Sequence, residues 1–137
     1  MKGLPTFRCL GLALLFLPGI IRAQSDDLRA SMHRGAEIYA DFCMNCHMAN
    51  GEGVPYTFPP LANSDYLMKN RTASIAGVKY GMQGEIVVNG ETYNGTMAPM
   101  GLEDGEVADV MNYILNIWGN RSDKMVTPEE VAAVQKP

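Results

Sequence analysis

Apolar positions along this chain change period from block to block, and the periods predict the elements. From Asp26 to Cys43, apolar or small residues recur at helical spacing: Leu28, Met32, Gly35, Ala36, Tyr39 and Phe42 or Cys43. A first helix is therefore expected there, with Asp26 and Asp27 at its N-terminus. Gly35 costs that helix about 1 kcal/mol relative to Ala, which is explained if another helix crosses closely. Residues 48–63 have no period and are broken by Gly51, Gly53, Pro55, Pro59 and Pro60, so they read as loop. Ser64 or Asp65 can cap a short turn through Met68. A second helix is expected over 72–81, capped by Asn70 or Thr72 and carrying Ala73, Ala76 and Tyr80 on one face.

The period then changes. Glu85–Val88 and Glu91–Asn94 flank Asn89-Gly90, a type I′ hairpin signal. So small a hairpin is not stable alone and must pack on something. Residues 96–101 read as loop. A long helix is expected over 104–118, with Val107, Val110, Met111, Ile114, Leu115 and Trp118 as its apolar face and Gly119-Asn120 ending it. Thr127, Pro128 and Glu130 open a tail helix with a capping box, and Val126 against Val131 is its hydrophobic staple. This tail is expected to act as a peripheral clamp.

The N-terminus has a different pattern. Lys2 and Arg8 precede an apolar run from Cys9 to Ile21, and Ala23 is a small residue suited to cleavage. The run is too short for a bilayer core of about 30 Å. We therefore expect residues 1–23 to be a removed signal peptide, with a domain over 24–120 and the tail helix over 121–137. No stable membrane span is expected in the mature form. Removing Lys2, Arg8 and Arg22 leaves eight cations against 15 acids and takes the net charge from −4 to −7. Nucleic acid is then an unfavourable partner, and docking by Lys and Arg of another protein is favoured.

Removal of Cys9 leaves only Cys43 and Cys46, both within Cys43-Met44-Asn45-Cys46-His47. This C-x-x-C-H run has the spacing of a c-type haem attachment site. Two thiols separated by two residues can each add to one vinyl group of a haem. The adjacent imidazole is carried to the iron from the same face. Other readings of the pair are a redox dithiol, a disulfide or half a zinc site. The first lacks a βαβ pattern around it, and the last has only His33 outside the motif, which reads as a solvated surface residue. For the second axial position the mature chain offers nine Met, Lys side chains, His33 or water.

The chain resembles class I c-type cytochromes, the small monohaem proteins of the bacterial periplasm. The resemblance lies in the motif after an aromatic-bearing helix, in Phe58-Pro59-Pro60-Leu61, and in the run Tyr93-Asn94-Gly95-Thr96-Met97-Ala98-Pro99-Met100-Gly101-Leu102. It implies an all-α cytochrome c fold, three to five helices around one covalent haem c, with a small β-hairpin before the axial Met loop. It implies that Cys43 and Cys46 hold the haem. His47 and Met97 would ligate the iron, with Met100 as runner-up. Pro59 would accept the His47 hydrogen bond, and Leu61 would pack on the haem. The chain departs from the pattern at Ala98, which stands for the first Pro, and at Glu103-Asp104-Gly105-Glu106, where Glu is a poor cap and the helix start is expected to fray.

The function implied is one-electron transfer rather than catalysis. An exposed haem edge is expected near the thioethers, near 48–54 and near the Met97–Met100 loop. Partners of such proteins include periplasmic dehydrogenases, copper nitrite reductases and terminal oxidases, and a periplasmic or secreted location follows. The alternative is a haem enzyme or gas-binding protein with an open sixth site. Four-helix haem proteins of that kind carry the motif near the C-terminus, whereas here it lies near the mature N-terminus.

Overall fold

The computed structural model describes residues 19–137. The expected charged and apolar leader lies largely outside the described residues. The first helical segment is continuous from Gly19 to His47, as α1 (Gly19–Ile38), a π-helical turn (Tyr39–Cys43) and α2 (Met44–His47). It starts seven residues earlier than the charge pattern indicated. No Gly or Pro between Gly19 and Asp26 stops the helix, so Asp26 and Asp27 sit inside it, and Asp26 pairs with Arg29. The π turn also went unread. There Met44 N donates to Tyr39 O, one residue beyond the α-helical bond. That extra residue rotates the attachment motif about the helix axis relative to the preceding turns.

Ser64 caps α3 (Asp65–Lys69), accepting from Leu67 N at 3.2 Å. Asn70 does not cap α4 (Arg71–Tyr80) with its side chain. Its Nδ2 instead donates to Tyr66 O at 3.0 Å, closing the end of α3. The hairpin is longer than its sequence signal. β1 (Met82–Val88) pairs antiparallel with β2 (Glu91–Met97), from Val88 opposite Glu91 to Met82 opposite Met97. Gly84 lies opposite Gly95, so the middle of the ladder has no side chains to announce it. Thr96 and Met97 therefore end a strand rather than start a loop. Asn89 and Gly90 both have positive φ, as the type I′ turn requires. Asp65 and Asn89 exchange backbone-to-side-chain bonds of 2.9 and 2.7 Å, which pin the turn to α3.

α5 (Asp104–Ile114) crosses α1 at Gly35. A Cβ on Gly35 would lie 2.1 Å from Asp109 O and 2.8 Å from Tyr113 Cβ, so close crossing is the reason for this glycine. The frayed start expected for α5 is corrected. Glu103 and Glu106 form a reciprocal capping box, the Glu103 side chain facing the Glu106 N–H while Glu103 N donates to Glu106 Oε2 at 2.8 Å. α5 ends four residues before Trp118. Asn120 Nδ2 reaches back to Ile114 O at 2.8 Å, and Trp118 takes a positive φ.

α6 (Pro128–Ala133) is capped by Thr127, whose Oγ1 accepts from Glu130 N at 3.3 Å. Only half of the expected box forms, because Arg71 takes the Glu130 carboxylate at 2.7 and 2.8 Å. Nor is the tail peripheral. Val126 and Val131 are fully buried in the same cluster as Ile75, Val107 and Met111.

Candidate functional site

The last turn of the first helical segment carries Cys43, Cys46 and His47. The chain leaves it through Met48, whose φ is 64°, and folds back so that Gly53 N donates to His47 O at 3.0 Å. Leu61 N and Ala62 N both donate to Gly51 O, at 2.7 and 2.9 Å. The loop over 48–62 is thus closed on itself by backbone bonds, which brings Pro59 beside the motif. His47 Nδ1 lies 2.9 Å from Pro59 O. A carbonyl only accepts, so Nδ1 carries the proton and Nε2 keeps its lone pair. Burial lowers the His47 pKa, with the Pro59 bond opposing, which favours the neutral, ligating form.

Behind the loop stands an aromatic group of Tyr39, Tyr113 and Trp118, with ring centroids 5.0 to 5.6 Å apart. Tyr39 Oη donates to Met48 O at 2.7 Å. Gly51 lies against the Trp118 ring, where a Cβ would come within 2.4 Å. Residues 48–54 do not line the cavity described next, whose wall takes in Tyr56–Pro60, with Tyr56 75% exposed.

One cavity of about 610 Å³ has Cys43, Cys46, His47, Pro59, Leu61, Met97 and Met100 in its wall. All the residues singled out from the sequence are thus brought together. The hairpin supplies Ile86, Val88 and Tyr93, and α5 supplies Val110, Met111 and Ile114. Ser74, Gly77, Val78 and Met82 also line it and were not foreseen. Their signal was the i, i+3, i+4 spacing of Ser74, Gly77 and Val78 on α4. Among the described residues no Asp, Glu, Lys or Arg lines the cavity, although the chain has 15 acids. His33 lies outside it, exposed on α1 and 3.8 Å from Glu37.

Cys43 and Cys46 are not joined to each other by a disulfide. Burial, then the neighbouring Cys46, pushes the Cys43 thiol up to about 11. A redox dithiol needs the opposite shift. Among the described residues no group of three or more His, Cys, Asp or Glu is gathered as a bare metal ion would require. What fits is a flat apolar group anchored by sulfur and met by an imidazole.

The sequence matches the cytochrome c family over residues 32–118. The chain belongs to that family. It is 41% identical over 129 residues to a cytochrome c-552 of Thermus thermophilus, covering 88% of this chain and 81% of that protein. It is 43% identical over 106 residues to another T. thermophilus cytochrome c-552, covering 71% and 80%. It is also 34% identical over 101 residues to the cytochrome c subunit of a quinone alcohol dehydrogenase from Gluconobacter oxydans. That match covers 71% of this chain but 21% of the subunit.

This cytochrome is mostly helical with a small two-stranded sheet, and it binds haem c covalently through Cys43 and Cys46. It is an electron-transfer protein and not itself a catalyst. Haem c supplies a one-electron iron couple when bound. The chain's own contribution is to anchor, dehydrate and surround it with uncharged groups.

Proposed function

We propose that this cytochrome closes its iron with His47 on one side and Met97 on the other, and so carries electrons without offering a site for substrate. The observation that carries this reading is that His47, with Nδ1 engaged by Pro59 and Nε2 free, shares one cavity with Met97. The ladder supports Met97 over Met100. Met97 is fixed by its register opposite Met82, and Gly81 packs against its carbonyl, where a Cβ would lie 2.5 Å away. Met100 lies three residues beyond the sheet. Leu61 fills the wall beside Pro59 as an apolar contact for the haem. A thioether ligand favours the reduced iron and raises the potential relative to a second imidazole.

Export follows from the leader pattern, with cleavage after Ala23 and delivery to the periplasm or beyond. Among the described residues no helix is long and apolar enough to cross a membrane. The partner we favour is a dehydrogenase, because several similar proteins are cytochrome c subunits of alcohol or gluconate dehydrogenases. A copper nitrite reductase or a terminal oxidase would use the same surface.

Absorption spectra of the oxidised protein test the ligands. Met97→Leu should abolish the long-wavelength iron–sulfur charge-transfer band, while Met100→Leu should retain it. Loss of the band in Met100→Leu alone would transfer the role to Met100. Carbon monoxide binding by the reduced wild type would establish the open-site reading instead.

A further inference from the structure

Ser74 is the one buried side-chain polar atom without a hydrogen-bond partner among the described residues. Its residue is 9% exposed, and it lies in the wall of the haem cavity. A buried hydroxyl left unpaired is costly, and native structures rarely keep one without a role. Its own helix does not pair it either: Ser74 N donates to Asn70 O at 2.8 Å, and the Ser74 hydroxyl makes no bond there. The neighbours on α4, Ile75 and Ala76, belong to the apolar core and carry no acceptor side chain. The side on which Ser74 meets the cavity continues through Gly77 and Val78.

The surroundings indicate where the acceptor lies. Gly77 leaves room beside Ser74, and a Cβ there would come 3.3 Å from Met82 Sδ. Met82 is the cross-strand partner of Met97, and Gly81 at the end of α4 packs on the Met97 carbonyl. α4 is therefore tied to the strand end that carries Met97.

We propose that the Ser74 hydroxyl donates a hydrogen bond to an acceptor of the bound haem centre, either the axial methionine sulfur or a haem carboxylate, and thereby tunes the redox potential. Ser74 is a positioning residue in this role and does not ligate the iron. A donor hydrogen near the centre favours the less positive, reduced state. On the sulfur it also withdraws electron density from the iron. Either acceptor gives the same sign, so loss of the hydroxyl lowers the potential. The sulfur case rests on methionine ligation as proposed above. The carboxylate case does not.

The test compares Ser74→Thr with Ser74→Val in the haem-loaded, full-length protein. These two side chains have nearly the same shape and differ in the hydroxyl, so packing effects cancel between them. Potentiometric titration should show Ser74→Val shifted toward the oxidised form by about two- to tenfold in the Fe(III)/Fe(II) ratio at fixed applied potential, with Ser74→Thr near wild type. A shift of the iron–sulfur charge-transfer band in Val but not Thr assigns the acceptor as the axial sulfur. A shift of the haem-carboxylate bending mode in resonance Raman, with the band unmoved, assigns it as a carboxylate. Equal potentials for the Thr and Val variants would overturn the proposal. Absence of the charge-transfer band from wild type would count against methionine ligation alone and leave the carboxylate arm to be read.

Discussion

At the scale of single residues, the chain places small or polar groups where a larger or apolar one would be the simpler choice. Gly35 shows how the balance is decided. Alanine there would recover about 1 kcal/mol of helix propensity. Its Cβ would also lie 2.1 Å from the carbonyl of Asp109, and overpacking of that kind costs about 1–3 kcal/mol. Gly35→Ala should therefore lower the denaturation midpoint, and a raised midpoint would show that the α1–α5 crossing relaxes freely. Asn112 is a second case. It is fully buried, receives Val126 N at 2.7 Å, and donates to Val126 O and Ser31 Oγ at 2.9 Å each. Ser31 passes the link to Asp109, which Arg34 grips with two bonds of 2.6 and 2.8 Å. Asn112→Ala strands both backbone groups of Val126, so urea denaturation should report a loss of about 2–4 kcal/mol. A loss below about 1 kcal/mol would mean that water replaces the amide. Nothing in the spacing of residues 104–118 reveals this asparagine, because it sits among Val110, Met111 and Ile114 as one polar letter on an apolar face.

At the scale of elements, what could be read from sequence was whatever depends on neighbours a few residues apart. The Asn89-Gly90 turn, the Thr127 cap and the apolar face of α5 follow from local chemistry, and so does the C-x-x-C-H spacing. What was missed depends on long-range partners. The π turn at Tyr39–Cys43 has no composition of its own, and the outer half of the hairpin is held by pairing across two glycines. The tail is the clearest example. Its cap was legible, but its attachment is not local: Arg71 on α4 binds the Glu130 carboxylate and also donates to Lys124 O and Met125 O at 3.0 and 3.1 Å. The Arg71 bond holds the Glu130 carboxyl below its ordinary 4.5, with burial opposing. A carboxyl depressed in the folded state binds fewer protons there than in the unfolded chain. Its stabilisation is therefore complete above about pH 4.5 and lost as the pH falls through the lower folded value. Wild type should exceed Glu130→Gln in stability at pH 7, and the gap should close toward pH 3. Parallel denaturation series at the two pH values check this, and an unchanged gap would mean that Arg71 does not depend on the charge of its partner.

At the scale of the whole molecule, the cavity is large relative to what the rest of the fold can support. Apolar walls around about 610 Å³ lack the packing contacts that a filled core gives them, and whole domains are stable by only ~5–15 kcal/mol. The buried cluster around Val107 and Met111 joins α1, α4, α5 and α6 and lies on one side of the cavity. The hairpin and the loop over 56–61 lie elsewhere around it, and Ile86, Val88, Tyr93 and Leu61 meet it from there. The haem is thus part of the core, and its anchor determines whether the walls remain in place. Cys43→Ala/Cys46→Ala protein should consequently retain helical far-ultraviolet dichroism in part. It should lose its near-ultraviolet signal from Trp118 and its tyrosines, and melt without a cooperative transition. The Gly35 crossing and the Asn112 network join α1 to α5 away from the cavity, so protection from hydrogen exchange should survive longest there and vanish first in β1 and β2. A variant without the two cysteines that melted as sharply as the haem-bound protein, with β1 and β2 still protected, would show that the side-chain core alone holds the fold and that the haem is cargo rather than structure.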